Sequence, residues 1–266
     1  MKVMQQDVKQ DQEQVSTWHM QPQAMMPNGD WLIRMRLVGI RMNIDIGGNK
    51  IVYDSQKKSA TSTIGFCFDQ LLNADFKTTV QPDGTIRRMQ GVDELLKTIL
   101  EGSSSPAMMK SILTEEGMKK SIAPLVDYLP SQPVRIGDRW TRREMLDLGP
   151  IGQYVTNYSY TLKATSAQTL EIHSTSSLKY APPGAAQKGD LPFVIQSATM
   201  RKGHGEGRIV FDRIQGRLRE STQRLTFAVT LGIEVGGMVT IVDVDQVQTA
   251  RVRTMSDNPL APREKR

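Results

Sequence analysis

The sequence predicts a mostly β (α+β) protein: a large curved antiparallel sheet or half-barrel with a helical insert packed on its concave face. Three observations carry this. Apolar residues alternate with polar ones over long stretches on both sides of the middle of the chain. Turn signals of the Asn-Gly, Asp-Gly and Gly-Gly type punctuate those stretches. Between about residues 92 and 129 the period changes to that of amphipathic helices.

The elements follow in order. Near the N-terminus, a glutamine-rich stretch carries Met4, Val8, Trp18 and Met20 at one parity, which suits a long strand or ribbon with a weakly apolar face. Pro27-Asn28-Gly29-Asp30 turns the chain. Trp31, Ile33, Met35 and Leu37 then alternate with other residues, and Ile40, Met42, Ile44 and Ile46 do so after them. Gly47-Gly48 is the next turn, and Ile51 to Tyr53 reads as a short strand. Pro82-Asp83-Gly84 between Phe76–Val80 and Thr85–Arg87 reads as a hairpin.

At Gly91 the texture changes. Asp93 and Glu94 open a helix whose stripe is Leu95, Leu96, Ile99 and Leu100. Ser105-Pro106 starts a second helix with Met108, Met109, Ile112 and Leu113 on its apolar side, ended by Gly117. Pro124 opens a last turn. From Val134 strands return. Tyr154, Thr156, Tyr158, Tyr160 and Leu162 show the clearest two-residue period in the chain. Further strands cover Leu170–Tyr180, Ile209–Phe211, Leu225–Leu231 and Met238–Val252. Val80–Arg87 and Val210–Arg219 echo one another, as two β halves joined by a helical section would, although hairpins repeat by chance as well. Residues 1–256 therefore read as one β-rich domain with an insert at about 92–129, and 257–266 as a polar tail.

The net charge of +6 is spread thinly. Arg87–Arg88, Lys119–Lys120, Arg142–Arg143 and the C-terminal residues form its only clusters, and none is interleaved with aromatics. They read as solvated surface, and no nucleic-acid partner is expected. The single cysteine, Cys67, lies in an apolar setting and reads as a small buried hydrophobe. His204 and Glu206 in Gly203-His204-Gly205-Glu206-Gly207 fall short of a metal set and read as a solvated glycine turn. Asp243 and Asp245 share a strand face and read as emerging into water. No nucleotide loop, dinucleotide fingerprint or nucleophile elbow is present. No cofactor, metal or enzymatic activity is expected. The fifteen methionines suit either an adaptable apolar groove or a loosely specified core.

The run Pro133-Val134-Arg135-Ile136-Gly137-Asp138-Arg139-Trp140 resembles an uncharacterised family of exported bacterial proteins, found mainly in planctomycetes. Val52–Ser55, Phe76–Gly84, Gly91–Leu95, Leu148–Pro150, Tyr158–Leu162 and Gly205–Ile209 match in the same order. The resemblance implies a periplasmic or cell-envelope location, with a signal or lipoprotein-type leader upstream of an internal Met1. Without such a leader the expectation is cytoplasmic. It implies no activity and no catalytic residues. The expected architecture is also similar to bacterial lipoprotein carriers, in which a half-barrel and covering helices enclose a lipid groove.

The functional expectation is a non-enzymatic envelope protein that holds an apolar or amphipathic, lipid-like ligand. Met108, Met109, Ile112 and Leu113 would face Tyr154, Tyr158 and Tyr160 across the groove. The alternative is a structural or protein–protein interaction module of the envelope, with another envelope protein as partner. An upstream leader would add peripheral membrane association.

Overall fold

The structure is a computed structural model that describes residues 2–3, 6–7, 10–57, 63–101, 114–147, 152–183 and 193–260. It is mostly β with a helical insert, and its strands divide into two antiparallel sheets. The smaller sheet contains β3 (Gln10–Met25), β4 (Trp31–Ile46), β5 (Asn49–Asp54), β6 (Phe76–Val80) and β7 (Ile86–Gln90). The larger contains β1 (Lys2–Val3), β2 (Gln6–Asp7), β8 (Arg139–Asp147), β9 (Gln153–Thr165), β10 (Thr169–Ala181), β11 (Val194–Asp212), β12 (Arg217–Val235) and β13 (Met238–Arg253). Its order is β2-β1-β13-β12-β11-β10-β9-β8, an open sheet with edges at β2 and β8. The helical section that begins at Val92 lies in sequence between β7 and β8.

Strand β4 shows how the apolar pattern sets register. Its core-facing residues are Met35 and Leu37, then Ile40 and Met42, so the buried parity switches midway. The switch falls where the β3–β4 register jumps from Thr17↔Gly39 to Trp18↔Leu37, leaving Val38 as the extra residue. A bulge turns one apolar run into the next without exposing either. Further register shifts interrupt the β9–β10, β11–β12 and β6–β7 ladders. Each bends its strand and increases local twist.

Three α-helices are described. α1 (Thr63–Asn73) lays Phe68, Leu71 and Leu72 over Leu37, Ile40, Met42 and Tyr53. Sequence periodicity did not single out α1, which lacks the acidic first turn that marks α2. Cys67 is half-buried on α1, and burial pushes its thiol pKa up, in keeping with a packing role. α2 (Val92–Glu101) buries Val92, Leu95 and Ile99 with Asp93 and Glu94 in its first turn, as expected. α3 (Glu115–Ile122) is capped by Thr114, whose hydroxyl accepts from the Gly117 amide at 3.0 Å. Gly117 therefore lies in the first turn of a helix and does not end one. The second expected helix, with Met108, Met109, Ile112 and Leu113, lies outside the described residues.

α2 and α3 pack on the smaller sheet. Met35, Phe76 and Met89 from strands meet Val92, Leu95, Ile99, Met118 and Ile122 from helices in one core. Met35, Met42, Met89 and Met118 are all buried, which makes core filling the role of these methionines. Glu115 anchors α3 to the sheet by accepting from the Met89 amide at 3.2 Å.

Two contacts tie the layers together. Gly84, at φ +91°, brings the β6–β7 turn against the Val126–Asp127 backbone that follows a 3-10 turn at Ala123–Leu125. Beyond β13, Leu260 packs on Gly39 of β4, where a Cβ would overlap the leucine side chain.

Candidate functional site

The face of the larger sheet that carries Tyr160, Ile172 and Ile209 is assembled by register. One row across the strands holds Trp140, Tyr160, Ser174, Gly207 and Gln223. The next holds Arg142, Tyr158, Ser176, Gly205 and Leu225. A third holds Glu144, Thr156, Leu178, Gly203 and Phe227.

Aromatic rings form the β8–β9 side of this face. Trp140 stacks on Tyr160 with centroids 5.6 Å apart, and Tyr160 stacks on Tyr158 at 5.9 Å. The Trp140 indole donates to the Tyr128 carbonyl at 3.2 Å, which satisfies its one polar atom. Burial pushes the phenol pKa values of Tyr158 and Tyr160 up, and the neighbouring Glu144 charge adds to this. Tyr154 pairs with Tyr180 at 4.8 Å, and burial pushes the Tyr180 phenol up to about 12.

Glycines form the middle. Gly203, Gly205 and Gly207 lie within strand β11, so the expected solvated turn around His204 is corrected: it is mid-strand, with His204 and Glu206 on the opposite face. With no Cβ at these three positions, side chains of the flanking strands close over β11. A side chain on Gly207 would overlap the Gln223 amide, which instead accepts from Ser174 Oγ at 2.9 Å across the strand.

Tyr128, only 3% exposed, caps the upper part of this face with Leu129 and Val134, over Leu162, Ile172, Ile209 and Leu218. Further along the same face, Tyr154, Tyr158, Tyr180, Leu225 and Phe227 are only half-buried. Aromatic residues thus stand on one side of the glycine strand and Leu225 and Phe227 on the other, with Leu178, Ser176 and Gln223 closing over the glycines between them, and we call this strip of the face the trough.

A charged group closes the trough beside β8. Arg142 donates to the Asp83 and Leu129 carbonyls at 2.7 and 2.8 Å and to Thr85 Oγ1 at 3.0 Å. It also meets the Asp127 carboxylate at 2.8 Å, as a charge contact outside hydrogen-bond geometry. Burial works to raise Asp83, but the Thr85 hydrogen bonds and Arg142 outweigh it, and its pKa ends below the usual value. Burial dominates at Asp127 and at Glu144, and both are raised. Near Glu144, Lys120 and Arg142 oppose the shift while Asp127 reinforces it.

This fixes the sign of a pH effect. A carboxyl with a raised folded pKa binds its proton more tightly when folded, so its contribution falls as pH rises from the ordinary value of 4.5 through the folded one. Glu144→Gln, which stays neutral, should match the wild type in stability near pH 4. It should then become the more stable of the two as pH rises toward neutrality. Chemical denaturation at a series of pH values checks this; parallel curves would contradict it.

The sequence-predicted site residues are placed as follows. Tyr154, Tyr158 and Tyr160 share the inner face of β9. The segment that covers Tyr160 is Tyr128–Val134. Met108, Met109, Ile112 and Leu113 lie outside the described residues. Sequence reasoning missed Arg142, which it grouped with Arg143 as solvated surface. Neighbours on a strand face opposite ways, and here Arg142 turns inward while Arg143 is exposed. Asp127 and Glu144 were missed with it.

On the outer face, Thr141, Arg143, Asn157, Ser159, Thr175 and Ser177 line an open polar depression of about 470 Å³. Asp243 stands beside Thr230, which donates to it at 2.5 Å, and Arg201 lies 3.4 Å from both Asp243 and Asp245. Among the described residues there is no metal-binding group of three or more His, Cys, Asp or Glu side chains. No helix among them is long and apolar enough to cross a membrane.

No curated protein and no solved structure matches the chain. One family does, over residues 28–217, from the β3–β4 turn to the start of β12. That span includes the glycine strand, the aromatic stack and Arg142. The chain thus belongs to DUF6263, a family of unknown function.

Proposed function

We propose that the chain is a non-enzymatic binding protein of the cell envelope that holds an amphipathic, lipid-like ligand in the inner-face trough of its larger sheet. The observation that carries this reading is the run of half-buried Tyr154, Tyr158, Tyr180, Leu225 and Phe227 beyond the Tyr128 cap. Such an aromatic-lined apolar strip with a few polar groups at one side suits a ligand with an apolar body. Arg142 is committed to the protein backbone and two carboxylates, so the polar end of the ligand would meet Glu144 and the tyrosine hydroxyls. The envelope location is supported by the family resemblance in the sequence.

Palmitate and a lysophospholipid are suitable probes. Each should change the fluorescence of Trp140, because the indole stacks on the trough wall. Phe227→Asp should weaken binding about tenfold or more, since a charge replaces apolar contact area. Equal binding by Phe227→Asp and wild type would remove the trough from the account. The interaction-module reading finds support in the open edge at β8, whose nine residues pair on one side with β9.

A further inference from the structure

We infer that the β12–β13 hairpin tip is a membrane-surface contact that inserts its apolar side chains into a lipid bilayer. The tip turns through Gly236 and Gly237, both at positive φ. Val235 pairs with Met238, so both lie on one face of the ribbon, 51% and 72% exposed. Val239 and Ile241 lie on the other face, 59% and 56% exposed. Other exposed apolar residues, such as Ile136, Ile214 and Met255, stand singly, as they do on ordinary surfaces. Met25 and Trp31 face each other on one side only of the β3–β4 turn.

Two arguments select a bilayer as the occupant. A protein partner that docks on a sheet covers one face and leaves the other in water. Apolar groups on both faces of a hairpin tip, which β11 flanks as far as Val194, are covered together only by a medium that surrounds the tip, and lipid acyl chains are such a medium. The chain as a whole carries a net +6, which draws it toward anionic lipid head groups, although the tip itself carries Glu234 and no lysine or arginine.

A second hairpin repeats the design. β4–β5 turns through Gly47 and Gly48, with Ile46 and Ile51 exposed on one face and Val52 on the other. Lys50 stands beside them on the Val52 face, opposite Asp45. The backbone links the two hairpins: Ile46 pairs with Gln10, and Lys2 pairs with both Asp7 and Asp243 of β13. The three residue steps from Asp7 to Gln10 span at most about 11 Å. This surface is separate from the inner-face trough, and either can fail without the other.

The test is flotation of the full chain with vesicles of equimolar phosphatidylglycerol and phosphatidylcholine. Wild type should float with them, and less so as salt is raised. The double substitution Met238→Glu/Val239→Glu should lower the bound fraction about tenfold or more. Val247→Glu, on β13 but away from the tip and 54% exposed, should float like wild type. Unchanged melting temperatures would show that the variants fold. Wild type that stays with the soluble fraction, or a double variant that floats equally well, would overturn the inference.

Discussion

Replacing Arg142 with leucine should lower the stability of the protein by about 3–5 kcal/mol, the cost typical of removing one partner from a buried charge group. The Arg142 side chain is 16% exposed and its ion-pair partners Asp83 and Asp127 are 23% and 15% exposed. The substitution removes the Arg142 charge from beside Asp127, leaves Asp83 with its Thr85 hydrogen bonds alone, and frees the Asp83 and Leu129 carbonyls that Arg142 now binds. These groups belong to three different segments: the β6–β7 turn, the stretch after the 3-10 turn, and β8. The loss should therefore appear as a fall in melting temperature on the order of 10 °C. Arg142→Leu combined with Asp127→Leu should cost less than the sum of the single changes, because the second removes a charge the first left unpaired. A single-variant cost under about 1 kcal/mol would instead mark Arg142 as an ordinary surface ion pair.

Gly84→Ala should be nearly as damaging, at about 3 kcal/mol or more. At φ +91° any side chain is strained, and this one would overlap the Val126 carbonyl oxygen and lie 2.6 Å from its carbon. Backbone on both sides leaves no flexible side chain to yield. Gly48→Ala supplies the control, because Gly48 has nearly the same φ, +92°, and open space around it. That variant should show only the backbone cost of about 1–2 kcal/mol. Equal losses at the two positions would mean that the Gly84 contact does not hold the layers together.

Much of the fold is legible in the sequence because its signals are local. The Asp83-Gly84 hairpin, the α2 stripe and the alternation of β9 each depend on a few neighbouring residues. The division into two sheets is not local. It rests on which strands find one another, and alternation looks the same in either sheet. The β4 bulge lies between, for the apolar parity does change near Val38, but only the partner strand shows how the extra residue is absorbed. The glycines of β11 misled for a physical reason. Glycine most often signals a turn, and only the neighbours Ser176, Leu178 and Gln223 reveal that here it clears space within a strand.

The candidate site was legible in its aromatic half. Tyr154, Tyr158 and Tyr160 declare a shared face by their spacing, and Tyr160 joins Trp140 as one stack. The charged half was hidden, because Asp83, Asp127 and the β8 residues Arg142 and Glu144 come from three distant points in the chain. Their partnership appears only once β8 is laid beside the β6–β7 turn.

The most direct test of the trough as a ligand site is native mass spectrometry of the protein purified from its source, before and after solvent extraction. The account predicts a bound mass that extraction removes and that palmitate or a lysophospholipid can replace, with replacement lost in Phe227→Asp. A ligand-free mass that stays unchanged after incubation with those lipids would contradict it.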